Sequence, residues 1–370
     1  MKRLNLLLGL LFLSSALMFQ SCTNSPKRTE KVDVAVLPIA DQAQALVGLL
    51  ERGGDYVNAQ GSPYLLAADD VFYNKNNYLV IDIRTKDDYV KGHIDGAYNV
   101  PRADLIKFLD TLDASQYDKI VICDNDGFES AYAASILRGK GYGNAFPLKY
   151  GMGAWNGIFA TGWKNSGGNK YAGALVTTST PKHKKGALPK INTKATTVSG
   201  VLNARAADAI DDDFLVSVDE VMNNKDNYYI INYWPKDKYE AGHLPGAVWY
   251  APKKSLRTDL ELLTLPTDKK IAVYCYTGLS ASTVIGYLRL IGYDAYAIKW
   301  GANSFMYNVL KAKGWHAYNY AEKAGSFPLL KGEKRTEKKA VAVKAAANNA
   351  PAPKPVIKRK KKEAGGGGCD

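Results

Sequence analysis

The sequence predicts an α/β fold made twice, two domains that each hold a parallel sheet flanked by helices. Three observations lead there. Short apolar runs such as Tyr78–Arg84, Lys119–Ile122, Tyr228–Tyr233 and Ile271–Tyr274 read as buried strands. Helical patterns alternate with them, as in parallel sheets built from strand–helix–strand units. The whole series also returns about 150 residues later. Gly92-His93-Ile94-Asp95-Gly96-Ala97 comes back as Gly242-His243-Leu244-Pro245-Gly246-Ala247, and Lys149-Tyr150-Gly151 as Lys299-Trp300-Gly301. A length of 370 residues suits two or three domains.

The chain opens with Lys2 and Arg3 ahead of the apolar run Leu4–Phe19, short for a membrane span and shaped like a secretory segment. It closes on Ser21-Cys22 before a polar stretch. Residues 1–22 resemble a bacterial lipoprotein signal, with Phe19 where Leu is usual. That resemblance implies lipid on Cys22 and, because Thr23 follows, anchoring at the outer membrane facing the periplasm. A helix is expected around Ala40–Glu51. The first domain is read over residues 55–165 and contains the turn at His93, the strand ending at Cys123 and a helix over Ser130–Gly139. A linker follows over 166–199, rich in Thr, Lys, Gly and Ser, and is expected to be disordered. The second domain spans 200–325. The tail 326–370 is rich in Lys, Ala and Pro and ends in four Gly before Cys369, a composition that builds no core and predicts disorder.

Net charge is +13, but it is unevenly placed. Residues 164–194 hold seven Lys and no acid, and residues 331–363 hold twelve Lys or Arg against three Glu. The basicity thus belongs to linker and tail, which fits solvated segments or an acidic protein partner. Nucleic acid is not expected, since only Tyr171 interleaves with those charges. The four Cys and four His keep no metal-ligand spacing, so neither a metal site nor a disulfide framework is expected, and no cofactor is implied.

Val273-Tyr274-Cys275-Tyr276-Thr277-Gly278-Leu279-Ser280-Ala281 carries the chemistry. The strand ends at Cys275, Gly278 makes the turn, and a helix runs on from Ala281 to Leu290. A thiol there faces the unpaired N–H groups of a helix start, a setting that brings a thiol from a pKa of about 8.5 towards roughly 3.5–7.5.

Taken together, Ile81-Asp82-Ile83-Arg84, the two Gly-His turns and the strand–Cys–loop–helix resemble the rhodanese family in its tandem sulfurtransferase form. The resemblance covers about residues 60–315. It implies that Cys275 attacks a sulfane sulfur, becomes a persulfide and passes the outer sulfur to a thiol or other nucleophile. The loop Cys275–Ser280 would then bind a small sulfur-containing anion or persulfide donor through its amides and through Tyr276, Thr277, Gly278, Leu279 and Ser280. Lys238 stands where relatives often place a basic residue. Tyr276 and Thr277 replace the basic loop residues of thiosulfate-specific members, and Asn232-Tyr233-Trp234 departs from the Asp82-Ile83-Arg84 of the first copy. His93 and His243 are expected to brace turns. Matching Arg138 to Arg289, with Cys123 paired to Cys275, makes the first loop, Cys123-Asp124-Asn125-Asp126-Gly127-Phe128-Glu129, one residue longer; it is also acidic, so the first domain is expected to be a scaffold, its thiol pKa raised by the carboxylates. A non-catalytic binding or assembly module is the competing reading. A third makes Cys369 an accessory thiol that meets Cys275.

Overall fold

The computed structural model describes residues 39–336. Residues 1–22, expected to be a lipoprotein signal with lipid on Cys22, and the tail beyond 336 with Cys369 lie outside the described residues. Helix α1 (Ile39–Arg52) leads into the first sheet. Its strands are β1 (Tyr78–Asp82), β2 (Tyr98–Asn99), β3 (Lys119–Cys123) and β4 (Ala145–Pro147), in the order β2-β1-β3-β4 and all parallel. The second sheet holds β5 (Leu215–Val216), β6 (Tyr228–Asn232), β7 (Val248–Trp249), β8 (Lys270–Tyr274) and β9 (Ala295–Ile298), in the order β5-β9-β8-β6-β7 and again parallel. A single parallel bridge, Leu66 to Leu148, stands in the first domain where β5 meets β9 in the second. The fold class is therefore as the sequence predicts. Strands β1 and β6 are buried along their whole length, which is why they read as unbroken apolar runs rather than alternating ones.

Helices α2 (Phe128–Gly139), α3 (Val198–Ala209) and α4 (Leu279–Leu290) join the halves. Both α2 and α4 begin two residues earlier than their apolar spacing suggests, directly at Gly127 and Gly278. Helix α4 is buried on nearly every side, because one face lies on its own sheet and another lies on α2. The approach is close. Ser135 Oγ donates to Thr283 O at 2.6 Å, and a Cβ added to Gly286 would lie 2.7 Å from both the Ser135 Cβ and Tyr132 O.

The linker is a correction to the sequence reading. Residues 166–199 hold little regular structure, yet they are laid along the second domain. Val176 pairs with His243 through N–H···O bonds of 2.9 and 3.0 Å, Ile191 is buried, and Thr193 is bonded to Gln42. Residues 326–336, expected to be part of a disordered tail, do the same for the first domain. Leu330 pairs with His93, and Thr336 N–H donates to Asp95. Each domain's Gly-His turn is thus closed by a segment that leaves the other domain. Composition reported the solvated face of these straps; backbone pairing holds the rest. Both histidines brace their turns, as expected. His93 Nδ1 lies 3.0 Å from Tyr89 O and His243 Nδ1 lies 2.7 Å from Tyr239 O, each ring stacked on that tyrosine.

Because α2 and α4 touch with no room for a side chain at 286, Gly286→Val should cost about 3 kcal/mol of unfolding free energy. Equilibrium urea denaturation checks this. A loss within 0.5 kcal/mol, the range of an ordinary surface change, would mean that the helices part easily.

Candidate functional site

Strand β8 ends at Tyr274, so Cys275 is the first residue of the turn into α4. Gly278 takes φ +91°, and a Cβ there would meet the Phe128 ring at 2.9 Å and Gly301 N at 3.1 Å. Only glycine suits that conformation in that space. The turn is fixed from behind by its carbonyls. Ala302 N–H donates to Cys275 O at 2.9 Å, and Asn303 N–H donates to Tyr276 O at 3.1 Å. On the inner side, Gly278 N–H donates to Cys275 Sγ at 3.1 Å. A curl of backbone with its amides turned inward is a nest for an anion.

The strand registers overturn the cysteine-matched comparison of the two loops. Tyr274 sits opposite Asn232, and Cys123 sits opposite Asp82. Tyr233 N–H donates to Tyr274 O, and Ile83 N–H donates to Cys123 O. Cys123 is therefore the counterpart of Tyr274, the last residue of its strand. The counterpart of Cys275 is Asp124, whose carbonyl accepts from Met152 N–H as Cys275 O accepts from Ala302 N–H. The two loops have equal length, Asp124 to Gly127 and Cys275 to Gly278, and the extra residue disappears. The sequence held the signal. Arg138 and Arg289 each lie 14 positions beyond Asp124 and Cys275, but pairing cysteine with cysteine moved the mismatch into the loop.

In the first domain the nest is filled by the chain itself. The Asp124 carboxylate accepts from Gly127 N–H at 2.8 Å, Glu129 N–H at 3.1 Å and Ser130 Oγ at 2.7 Å, and also from Asp126 N–H. Burial pushes its carboxyl above the usual range, although these donors oppose the shift. Burial likewise pushes the Cys123 thiol well up, helped by Asp82 and Asp124. The expected direction holds, but lost solvent outweighs the neighbouring carboxylates as its cause.

The remaining expected residues separate. Cys275, Tyr276, Thr277, Gly278, Leu279 and Ser280 share one buried turn, with Cys275 only 1% exposed. The Tyr276 ring lies between Trp234 and His316, each centred 4.9 Å away. Thr277 Oγ1 is buried with no partner among the described residues. Leu279 packs on Gly127 of the first domain, as Phe128 packs on Gly278. Lys238 lies 2.8 Å from the Asp237 carboxylate and 5.3 Å from the Trp315 ring centre, so its charge is balanced there. Among the described residues, cavities open on the second domain. One of about 520 Å³ lies at the start of β6 and β8, another of about 240 Å³ lies beside β5 and Trp300, and neither is lined by residues 275–280.

Beneath the loops the domains differ in concert. Asp82 and Arg84 form a buried ion pair at 2.7 Å, with Arg84 also donating to Gly92 O. In the second domain Asn232 Nδ2 and Leu244 N–H both donate to the Tyr274 hydroxyl, at 3.0 and 3.1 Å, and Trp234 packs against that ring. Tyrosine where the first domain has Cys123 lets a neutral pair replace the ionic one.

Asp126, the counterpart of Thr277, has a carboxyl pushed up to about 7 by burial and by Asp124, against Lys299. A carboxyl raised on folding lends stability that is full below the unfolded value and lost as pH rises through the folded one. Asp126→Asn should therefore flatten the fall in melting temperature between about pH 4 and pH 7. Calorimetry across that range checks it; identical pH profiles for variant and wild type would contradict the assignment.

Comparison with known proteins agrees with this geometry. The model of the rhodanese-like domain matches twice, over residues 70–157 and 217–308. Thiosulfate sulfurtransferase GlpE of Shewanella oneidensis is 32% identical over 77 residues, 21% of this chain and 74% of GlpE. The protein YibN of Escherichia coli is 29% identical over 85 residues, 23% of this chain, and the aligned segment spans 59% of YibN. A solved thiosulfate sulfurtransferase of Pseudomonas aeruginosa overlays with a TM-score of 0.26 at 17% identity, covering 79% of this chain and 49% of that one. With a relative matched over most of its length and two family-model matches on two parallel sheets, the chain belongs to the rhodanese family as a tandem of two rhodanese-like domains.

Proposed function

We propose that the protein is a sulfurtransferase whose second domain carries sulfur on Cys275. The observation that carries this reading is the 3.1 Å bond from Gly278 N–H to Cys275 Sγ within a curl whose carbonyls are held from outside. The chemistry runs in two displacements. The Cys275 thiolate attacks the sulfane sulfur of a donor, a Sγ–S bond forms, and the donor's bond to that sulfur breaks with its electron pair leaving on the rest of the donor. From thiosulfate that leaving group is sulfite. A second nucleophile, a thiol or cyanide, then attacks the outer sulfur and returns Cys275 as thiolate. Loop amides stabilise the anion at each stage, and no cofactor takes part. The first domain serves as scaffold, its equivalent nest occupied by Asp124.

One observation favours the competing reading of a binding module. Cys275 is 1% exposed, so a donor reaches it only after side chains over the loop move. Thiosulfate:cyanide and persulfide:thiol assays of two variants separate the readings. Cys275→Ser should lower turnover at least a thousandfold, to background, whereas Cys123→Ser should keep more than half of it. Equal turnover in wild type and Cys275→Ser would leave the binding module.

A further inference from the structure

Asn303 opens helix α5 (Asn303–Lys313) and is fully buried. Its side chain makes three hydrogen bonds. Nδ2 donates to Tyr276 O at 2.8 Å and to His316 O at 3.4 Å, and Oδ1 accepts from Tyr318 N–H at 2.7 Å. Tyr276 O therefore receives two donors from one residue, the side chain and the main-chain N–H of Asn303. The first domain supplies an internal comparison. There Gly153 holds the place of Asn303, its N–H reaches Asn125 O at 3.3 Å, and glycine has no side chain to add a second bond. The asparagine is present where the loop carries a thiol and absent where it carries a carboxylate.

A trans peptide is planar, so the N–H of one residue points opposite to the carbonyl of the residue before it. Drawing Tyr276 O outward onto Asn303 turns Thr277 N–H inward. Thr277 N–H donates to no backbone carbonyl among the described residues. Its counterpart in the first domain, Asp126 N–H, donates to the Asp124 carboxylate, the group that stands in the nucleophile's place. We propose that Asn303 is a positioning residue for the reaction, fixing the Tyr276–Thr277 peptide so that Thr277 N–H joins Gly278 N–H in holding the charged Cys275 sulfur. Because Asn303 also binds Tyr318 N–H, it ties this peptide to the segment running on from α5. The inference rests on the sulfur-carrying role of Cys275, and its test is built to stand apart from that role.

The test is alkylation of Cys275 by iodoacetamide, followed peptide by peptide in the full-length protein at pH 7 and pH 10. The ratio of the two rates reports how well the loop holds charge on sulfur, and it cancels changes in access. Asn303→Ala should lower the pH 7 to pH 10 ratio and should slow sulfur uptake roughly tenfold while the protein still melts cooperatively. If that variant does not fold, Asn303→Ser, which keeps one short donor, should give an intermediate ratio. An unchanged ratio in a folded variant overturns the proposal. Should wild type take up no sulfur from thiosulfate or from a small organic persulfide, the sulfurtransferase reading fails, while the alkylation ratio still decides the role of Asn303.

Discussion

A turn whose carbonyls are held from behind must present its amides in front, and the site depends on that constraint. The segment after β9 supplies the hold in the second domain, through Ala302 and Asn303, and the segment after β4 supplies it in the first, through Met152 and Gly153. Parallel pairing of β8 with β9 and of β3 with β4 brings those segments to the ends of the strands that launch the loops. The anion nest follows from sheet topology, and the side chain inside it decides what the nest does. One copy places the Cys275 thiol there, and the other fills the space with the Asp124 carboxylate.

The first domain still contributes to the second. Phe128 lies on Gly278, Leu279 lies on Gly127, and α2 and α4 touch along their length, so each loop is packed from outside by the other copy. The straps add a reciprocal closure, since the Gly-His turn of each domain is paired with chain leaving its partner domain. Support of this kind would keep the Cys275 loop within the narrow geometry that the proposed displacement at sulfur needs.

Much of this was legible in the sequence. Central strands buried on both faces read as apolar runs, and duplication made each copy a check on the other, so fold class, both Gly-His turns and the Cys275 loop could be named from residues alone. Three things were not legible, each for a physical reason. Asp124 was hidden because chemical identity favoured matching cysteines, whereas register is set by backbone pairing across β1 and β3. The straps were hidden because an edge segment bonded through its main chain needs few apolar side chains. Asn303 was hidden because a lone polar residue at a helix start gives no sign of how deeply it is buried or which carbonyl it reaches. The neighbours of Leu279 and Lys238 were hidden for a similar reason, since Gly127 and Trp315 are distant in sequence.

The most direct measurement is peptide-resolved mass spectrometry of the wild-type protein after brief exposure to a sulfane-sulfur donor. The account predicts a gain of about 32 Da, one sulfur atom, on the Cys275 peptide and none on the Cys123 peptide, reversed by cyanide. Sulfur on Cys123, or an unmodified Cys275 under conditions that load an active sulfurtransferase, would contradict it.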